Sequence, residues 1–151
     1  MNARRTPEVE AFWAASGIAA PRYDVVAFGT TPEFADWAAA EVLAGRKRAT
    51  AMLERDVMSG AETPQIGGHV VIVDGSNRPV CITRTVELRL GPLVSVDEAF
   101  CRDEGEGDLS RETWLRNHRD FFGALAARDG FALTDATGVV FERFALVWAP
   151  G

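Results

Sequence analysis

The segment AGRKRAT, residues 44–50, places a lysine and a threonine three positions apart, Lys47 and Thr50, and puts an arginine on each side of the lysine. A lysine amine titrates at about 10.4 in water, and burial or a neighbouring cation lowers this pKa. A lysine perturbed in this way can act as a general base that takes the proton of a hydroxyl group, or can itself be the nucleophile. The spacing predicts a Lys–Thr catalytic pair if a turn, rather than an extended strand, brings the two side chains together.

Two simpler interpretations of the same segment compete with this one. A phosphate-binding loop needs Gly-Lys-Thr in direct succession between a strand and a helix, whereas Gly45 and Lys47 follow a helical pattern and are not adjacent. The flanking Arg46 and Arg48 are typical of a helix C-terminus, where cations interact favourably with exposed carbonyl groups. We therefore interpret the two arginines as a cationic helix end and keep Lys47 as the candidate for chemistry.

The segment DEGEGDLS, residues 103–110, is the second concentration of chemically useful side chains. It contains two glycines and four carboxylates: Asp103, Glu104, Glu106 and Asp108. A calcium loop of the EF-hand type does not fit, because that loop is longer and its ligands alternate up to a terminal Glu. Asp108 or Ser110 instead suits the N-cap of the helix that begins near Arg111.

Glu104 and Glu106 are left unexplained by capping. Carboxylates so close together repel each other unless cations lie nearby, and residues 46–48 are the obvious source of cations. A carboxylate against Lys47 in a cleft would form an acid–base pair. The alternative is a solvated acidic loop on the surface.

Helices and strands that could position these segments follow from caps and hydrophobic periodicity. Helices are predicted in TPEVEAFWAASG, TTPEFADWAAAEVLAG, SVDEAFCRDE and LSRETWLRNHRDFFGALAARDG. Strands are predicted in YDVVAFG, RATAML, HVVIVDG, PVCITRTVELRL and GVVFERFALVW. The turn DGSNRP suits a hairpin, and MSGAETPQIGG is predicted to be a loop. No repeat or linker interrupts this order, so we expect one α+β domain over residues 1–151.

Two further expectations concern the packing of these elements. The second helix should bury one apolar face and end at Gly45. That face consists of Phe34, Trp37, Ala38, Ala40, Val42 and Leu43. His118 falls on the apolar side of the last helix, where a lone histidine is more often a hydrogen-bonded core residue than a metal ligand.

Composition limits the classes of function. The net charge is −6, with 22 acidic and 16 basic residues, which opposes a broad nucleic-acid surface and favours a small or weakly charged substrate. Cys81 and Cys101 lack the spacing of a metal or redox motif, so we expect two separate buried thiols and neither a metal nor a cofactor. No secretory signal or membrane-spanning stretch is visible, which predicts a soluble cytoplasmic protein without a membrane partner.

Four segments together resemble the ASCH family of PUA-like domains. They are FADWAAAEVLAGRKRATA, PVCITRTVEL, EGEGDLSRETWLRNHRDFF and VVFERFALVW. The resemblance runs from about Phe12 to Trp148 and implies a small β-barrel with helices packed around it and a cleft between them. Many members carry a basic residue five positions after the lysine, where this chain has Met52, and Arg55 is the candidate substitute.

The resemblance also implies an activity. One branch of the family looks like amidohydrolases that remove the acyl group from N4-acetylcytidine and related nucleosides with a Lys, a Thr and a Glu. In this sequence the Lys and the Thr fall on Lys47 and Thr50. The Glu falls on Glu104, and Glu106 is the alternative. Substrate contacts are expected from the same segments and Arg55: Gly45, Arg48, Arg55, Glu106, Asp108 and Ser110. The alternatives are a single-stranded RNA-binding protein or ribonuclease that uses the same cleft, and a domain that senses a nucleoside without turning it over.

Overall fold

A computed structural model describes residues 3–59 and 63–151 of the chain. The helices in these ranges are α1 (Pro7–Ser16), α2 (Pro32–Leu43), α3 (Glu54–Ser59), α4 (Glu98–Glu104) and α5 (Arg111–Asp129). The strands are β1 (Asp24–Val26), β2 (Ala49–Leu53), β3 (His69–Val73), β4 (Pro79–Pro92) and β5 (Gly138–Trp148), and a short 3-10 turn covers Leu93–Ser95. The loop predicted at 58–68 includes residues 60–62, which lie outside the described residues, and α3 takes its first two positions.

The first two helices begin as the sequence predicts. Thr6 and Thr31 are the N-caps of α1 and α2, and each hydroxyl accepts a hydrogen bond from the amide three residues later, at 3.1 Å. A proline occupies the first turn of each helix, where its missing N–H costs nothing. These caps therefore fix the first residue of each helix.

The five described strands form one sheet in the order β1-β3-β4-β5-β2. The β1–β3 pair is parallel and the other pairs are antiparallel, so the predicted β3–β4 hairpin is confirmed. The pairing of β4 with β5 shifts register twice, and such bulges bend and twist a strand. The sheet curls into a half-barrel with helices around it, which confirms the α+β class and gives the expected small barrel an open side.

Buried apolar side chains form three clusters that attach helices to the half-barrel. The largest joins β2 and β5 to α4 and α5, with Phe100, Trp114 and Phe141 among its members. The second packs α2 against the sheet, and the third packs α1 against β1 and β3. The helices that carry the two candidate segments are therefore fixed to the same sheet.

The buried face of α2 differs from the prediction. Trp37, Ala40 and Leu43 are exposed, and the buried positions are Ala35, Ala38, Ala39 and Val42. This i, i+3, i+4, i+7 spacing is a regular helical stripe made of small residues. The large side chains suggest a different face, whereas the small alanine side chains let the helix lie close to the sheet.

Helix α3, the two cysteines and the lengths of the helices are the remaining features to compare with the predictions. Helix α3 was not predicted, because in a segment of six residues with Val57 as its buried apolar side chain no period can be detected. Cys81 and Cys101 are both free and buried, as expected, and burial raises their thiol pKa values to about 12 and about 11. Among the helices of the described ranges, none combines the length and the apolar character needed to cross a membrane.

Candidate active site

A tight turn after α2 carries Lys47 from the surface into the interior. Gly45 adopts a left-handed φ of 79°, which redirects the chain, and the amides of Arg46 and Lys47 both donate to the carbonyl of Glu41, at 3.0 and 3.1 Å. Strand β2 begins two residues later, at Ala49. This turn precedes Lys47, and no turn separates Lys47 from Thr50, which is the second residue of the extended strand β2.

The Lys47 side chain is almost completely buried, with 1% of its surface exposed. Its Nζ lies 2.8 Å from Oε2 of Glu106, 3.0 Å from the carbonyl of Ala49 and 3.3 Å from the carbonyl of Glu104. An ammonium group has three protons and no acceptor, so three oxygens around it satisfy it completely. The expectation that a carboxylate of the acidic loop would pair with Lys47 is confirmed, and the carboxylate is that of Glu106.

Helix α4 delivers the acidic loop to this turn by a close backbone approach. Its C-cap, Gly105, has a left-handed φ of 74°, and a Cβ on it would lie 2.7 Å from the carbonyl oxygen of Arg46. The amide of Arg48 donates to the carbonyl of Asp103 at 2.6 Å, directly beside this contact. A residue larger than glycine at position 105 would push the turn after α2 and the acidic loop apart. Gly105 is therefore needed at the point where these two segments meet.

Helix α5 fixes the carboxylate of Glu104, which is buried. Oε2 of Glu104 accepts a hydrogen bond from the indole N–H of Trp114 at 2.9 Å, and Oε1 lies 2.9 Å from Nε2 of His118. Nδ1 of His118 lies 2.9 Å from the carbonyl of Trp114, and the two rings stack with centroids 3.7 Å apart. The prediction that His118 is a hydrogen-bonded core residue is confirmed.

The environment drives the pKa values of the two glutamates in opposite directions. Burial alone would raise the pKa of Glu104, but the hydrogen bond from His118 and the positive charges of Lys47 and His118 outweigh it and lower the pKa to about 2. Burial also raises the pKa of Glu106, and the negative charge of Glu104 adds to the rise, so that the pKa reaches about 7 in spite of Lys47. The site therefore favours the ionised form of Glu104 and brings the pKa of Glu106 close to neutral pH.

The environment of His118 also favours the ionised form of Glu104. Burial would lower its pKa, but the hydrogen bond and the charge of Glu104 raise it above the usual value. Both ring nitrogens face acceptors, as an imidazolium requires. His118 therefore holds Glu104 in its ionised form.

These side chains line a cavity of about 420 Å³, within the range typical of ligand pockets. Its polar wall holds Lys47, Thr50, Glu104, Glu106, Asn117 and His118. Its remaining wall holds Phe28, Gly29, Thr30, Thr31, Phe34, Ala51 and Phe121. The cavity places a threonine hydroxyl, a buried cation and a carboxyl group that titrates near pH 7 in one space.

The other predicted contact residues lie outside the lining of this cavity. Gly45 forms the turn, and Arg48 pairs with Asp103 at 2.9 Å on the surface. The guanidinium of Arg55 lies over the ring of Phe131, 3.7 Å from its centroid. Ser110 is the N-cap of α5 and accepts from the amide of Thr113, and Asp108 accepts a hydrogen bond from the Ser110 hydroxyl. Their predicted role in substrate binding stays a prediction.

Sequence reasoning missed the other side of the cavity. Phe28 and Phe34 come from the segment around the start of α2, and Asn117 and Phe121 lie one turn apart on α5. Asn117 and Phe121 share the face of α5 that carries His118, and this i, i+4 relation was the signal available in the sequence. No comparable signal marks Phe28, whose position depends on how the chain folds after β1.

In residues 3–59 and 63–151, no group of three or more His, Cys, Asp or Glu side chains is placed to hold a metal ion.

Comparison with family models matches residues 24–148 to the ASCH domain. The chain belongs to the ASCH domain family.

Two crystal structures show the same fold as this ASCH domain. An ASCH domain from Lactobacillus crispatus is 25% identical in sequence, with a TM-score of 0.80 over 92% of this chain and 91% of that one. A protein from Enterococcus faecalis is 27% identical, with a TM-score of 0.82 over 93% of this chain and 88% of that one. A comparison with curated protein sequences gives no match.

Proposed function

We propose that this ASCH domain is an amidohydrolase that removes the acyl group from N4-acylated cytosine nucleosides such as N4-acetylcytidine. The observation that carries the proposal is the arrangement in the cavity of about 420 Å³, where the hydroxyl-bearing Thr50 shares one space with the buried Lys47–Glu106 pair. Acyl transfer needs a nucleophile, a group that takes and returns its proton, and a positive charge near the developing oxyanion. The cavity holds all three.

Thr50 is the nucleophile in this proposal, and Glu106 is the proton carrier. Oγ1 of Thr50 attacks the acyl carbonyl while its proton passes to the Glu106 carboxylate. The tetrahedral intermediate then collapses, the C–N4 bond breaks, and Glu106 returns the proton to the leaving amine. Water hydrolyses the resulting Thr50 ester by the same route and releases the carboxylic acid. A pKa of about 7 suits Glu106 to both directions of transfer.

Lys47 takes a different role from the general base suggested by its sequence context. Three oxygens surround Nζ, so the side chain is arranged as a donor rather than as a proton acceptor. Its positive charge orients Glu106 and favours negative charge that develops in the cavity. Glu104 is a positioning residue here, because its carboxylate is held by Trp114 and His118 and its carbonyl faces Lys47.

The aromatic wall supports a flat, weakly charged substrate. The cavity lining includes the rings of Phe28, Phe34 and Phe121, on which a pyrimidine could stack. The amide of Asn117 offers both a donor and an acceptor for the edge of a base. Lys47 is already balanced by Glu106, so the site offers little unpaired charge to a phosphate.

The test is incubation of the purified protein with N4-acetylcytidine, with conversion to cytidine followed by absorbance. We expect turnover by the wild type, a loss on the order of 10³-fold or more in Thr50→Ala, and measurable activity in Thr50→Ser, which keeps the hydroxyl. Trapping an acylated Thr50 peptide by mass spectrometry would support the covalent route. Full turnover by Thr50→Ala, or no conversion by the wild type, would overturn the proposal.

A negative result would be informative about the two alternatives. A nucleoside sensor would be stabilised against heat by cytidine without forming product. An RNA-binding domain would bind single-stranded RNA with an affinity that falls steeply as salt rises. The structure favours the RNA alternative less, because Arg46 and Arg48 are already paired with Glu41 and Asp103.

A further inference from the structure

A second, smaller cavity of about 100 Å³ opens on the sheet and takes no part in the proposed reaction. Its polar lining includes the side chains of Asp24, His69, Thr85 and Glu142, and Arg22 is the cation at its edge. The Arg22 guanidinium is engaged by the side-chain carbonyl of Gln65. The cavity is several times larger than a single water needs, and its lining combines these polar groups with apolar side chains such as Tyr23, Val26 and Val70.

Glu142 is the most constrained of these groups. It is 7% exposed, and its Oε2 accepts a hydrogen bond from the hydroxyl of Thr85 at 2.6 Å. The other carboxyl oxygen makes no hydrogen bond with any residue of 3–59 or 63–151, and it is not among the fully shielded polar atoms of those ranges. Thr85 therefore orients a carboxyl group that lines the smaller cavity.

The register of the sheet places this carboxyl group beside the proposed nucleophile. Glu142 on β5 is the direct antiparallel partner of Thr50 on β2, and directly opposed residues point to the same face of a sheet at short distance. Thr50 lines the larger cavity and Glu142 lines the smaller one. Similarly, Val26 lines the smaller cavity and Phe28, two residues later in the chain, lines the larger one. The two cavities are neighbours along one surface.

We propose that the smaller cavity binds the ribose of the nucleoside, with Glu142 forming a hydrogen bond to a ribose hydroxyl and so selecting the nucleoside over the free base. This inference rests on the proposed function and assigns a part of the substrate to residues outside the reacting centre. A carboxyl group is a natural partner for the hydroxyls of a ribose, as acidic residues that bind the ribose of dinucleotides show. Two carboxyl groups, Asp24 and Glu142, also make the cavity unfavourable for a phosphate.

The protonation of the lining agrees with a neutral sugar. Burial raises the pKa of Glu142 against the effect of the Thr85 hydrogen bond, and the charge of Asp24 adds to the rise. Burial and the charge of Arg84 lower the pKa of His69, which keeps its imidazole neutral at pH 7. A carboxyl group with a raised pKa and a neutral imidazole can both exchange hydrogen bonds with the hydroxyl groups of a sugar.

The experiment compares Glu142→Gln with the wild type on two substrates, N4-acetylcytidine and N4-acetylcytosine, which lacks the ribose. Gln keeps the shape of Glu and an oxygen for Thr85. We expect the ratio of kcat/KM for the nucleoside to kcat/KM for the base to fall about tenfold or more, mainly through KM, because the substitution replaces the carboxyl group that forms the hydrogen bond to the ribose hydroxyl. Glu112→Gln, an exposed change in the first turn of α5, is the matched control and should keep the wild-type ratio.

A binding measurement separates this inference from the amidohydrolase proposal. We expect cytidine to raise the unfolding temperature of the wild type more than cytosine does, and this difference to shrink in Glu142→Gln. If neither acylated substrate is hydrolysed but the ribose-dependent stabilisation is seen, the ribose site stands and the amidohydrolase proposal fails. If both substrates are hydrolysed equally well, or Glu142→Gln keeps the wild-type ratio, the ribose site is overturned. Binding of neither cytidine nor cytosine also overturns it.

Discussion

Three consecutive cations, Arg46, Lys47 and Arg48, end in two very different environments. The arginine side chains are 67% and 62% exposed, and each pairs with one carboxylate at the surface, whereas Lys47 is 1% exposed and meets three oxygens in the interior. The left-handed turn at Gly45 and the close approach of Gly105 decide which of the three points inwards. Adjacent residues with the same charge can therefore differ widely in their contribution to stability and in their chemical role, because both depend on burial.

The strongest way to test this contrast is to remove the buried cation. Lys47→Met keeps the length and apolar stem of the side chain but leaves Glu106 without its partner, and breaking a buried ion pair from one side costs about 3–5 kcal/mol. We expect a corresponding loss in the free energy of unfolding, measured in urea, and a loss of turnover on the order of 10³-fold. Arg46→Met is the control with the same change one residue earlier. Equal effects of the two substitutions would contradict the contrast.

The comparison also shows how far the sequence could lead. The caps at Thr6, Thr31 and Ser110 are local, since each is a side chain that bonds an amide three residues away. Thr6 and Thr31 could be predicted outright, and the last cap could be narrowed to Asp108 or Ser110. The pairing of Lys47 with the acidic loop was predictable from charge, because four carboxylates in one loop need cations nearby.

What could not be predicted depends on contacts between distant segments. Glu104 and Glu106 are two residues apart in the chain, yet Trp114 and His118 hold the first while Lys47 holds the second. That division follows from the packing of α4 against both α5 and the turn after α2, which no local pattern encodes. The sequence therefore left the roles of the two glutamates open.

A second test concerns the proton on Glu106. If its carboxylate accepts the proton of Thr50, turnover should rise with pH through an apparent pKa of about 7, as the carboxyl group ionises. Glu106→Gln should lose most of the activity together with this limb of the profile. Rates of the two proteins across pH 5–9 are the measurement, and an unchanged limb in Glu106→Gln would assign it to another group.

Stability gives an independent readout of the same proton. The folded pKa of Glu106 is raised from 4.5 to about 7, so the protonated form favours the folded state below pH 4.5, and this contribution is lost as pH rises through 7. Relative to Glu106→Gln, the wild type should lose unfolding free energy over this window, by up to about 1.4 kcal/mol per pH unit. Parallel stability curves for the two proteins would show that Glu106 does not titrate there.

The smallest effects are expected at the two exposed arginines. Arg46→Ala breaks a surface ion pair with Glu41, and such pairs contribute little to stability. Arg48→Ala leaves Asp103 with a second partner, since the other oxygen of that carboxylate accepts from Arg143 at 2.9 Å. The double variant should keep its urea midpoint and its turnover of N4-acetylcytidine within about twofold. A large loss of turnover without a loss of stability would mean that these cations contact the substrate, and would move the site from the interior of the cleft towards its charged rim.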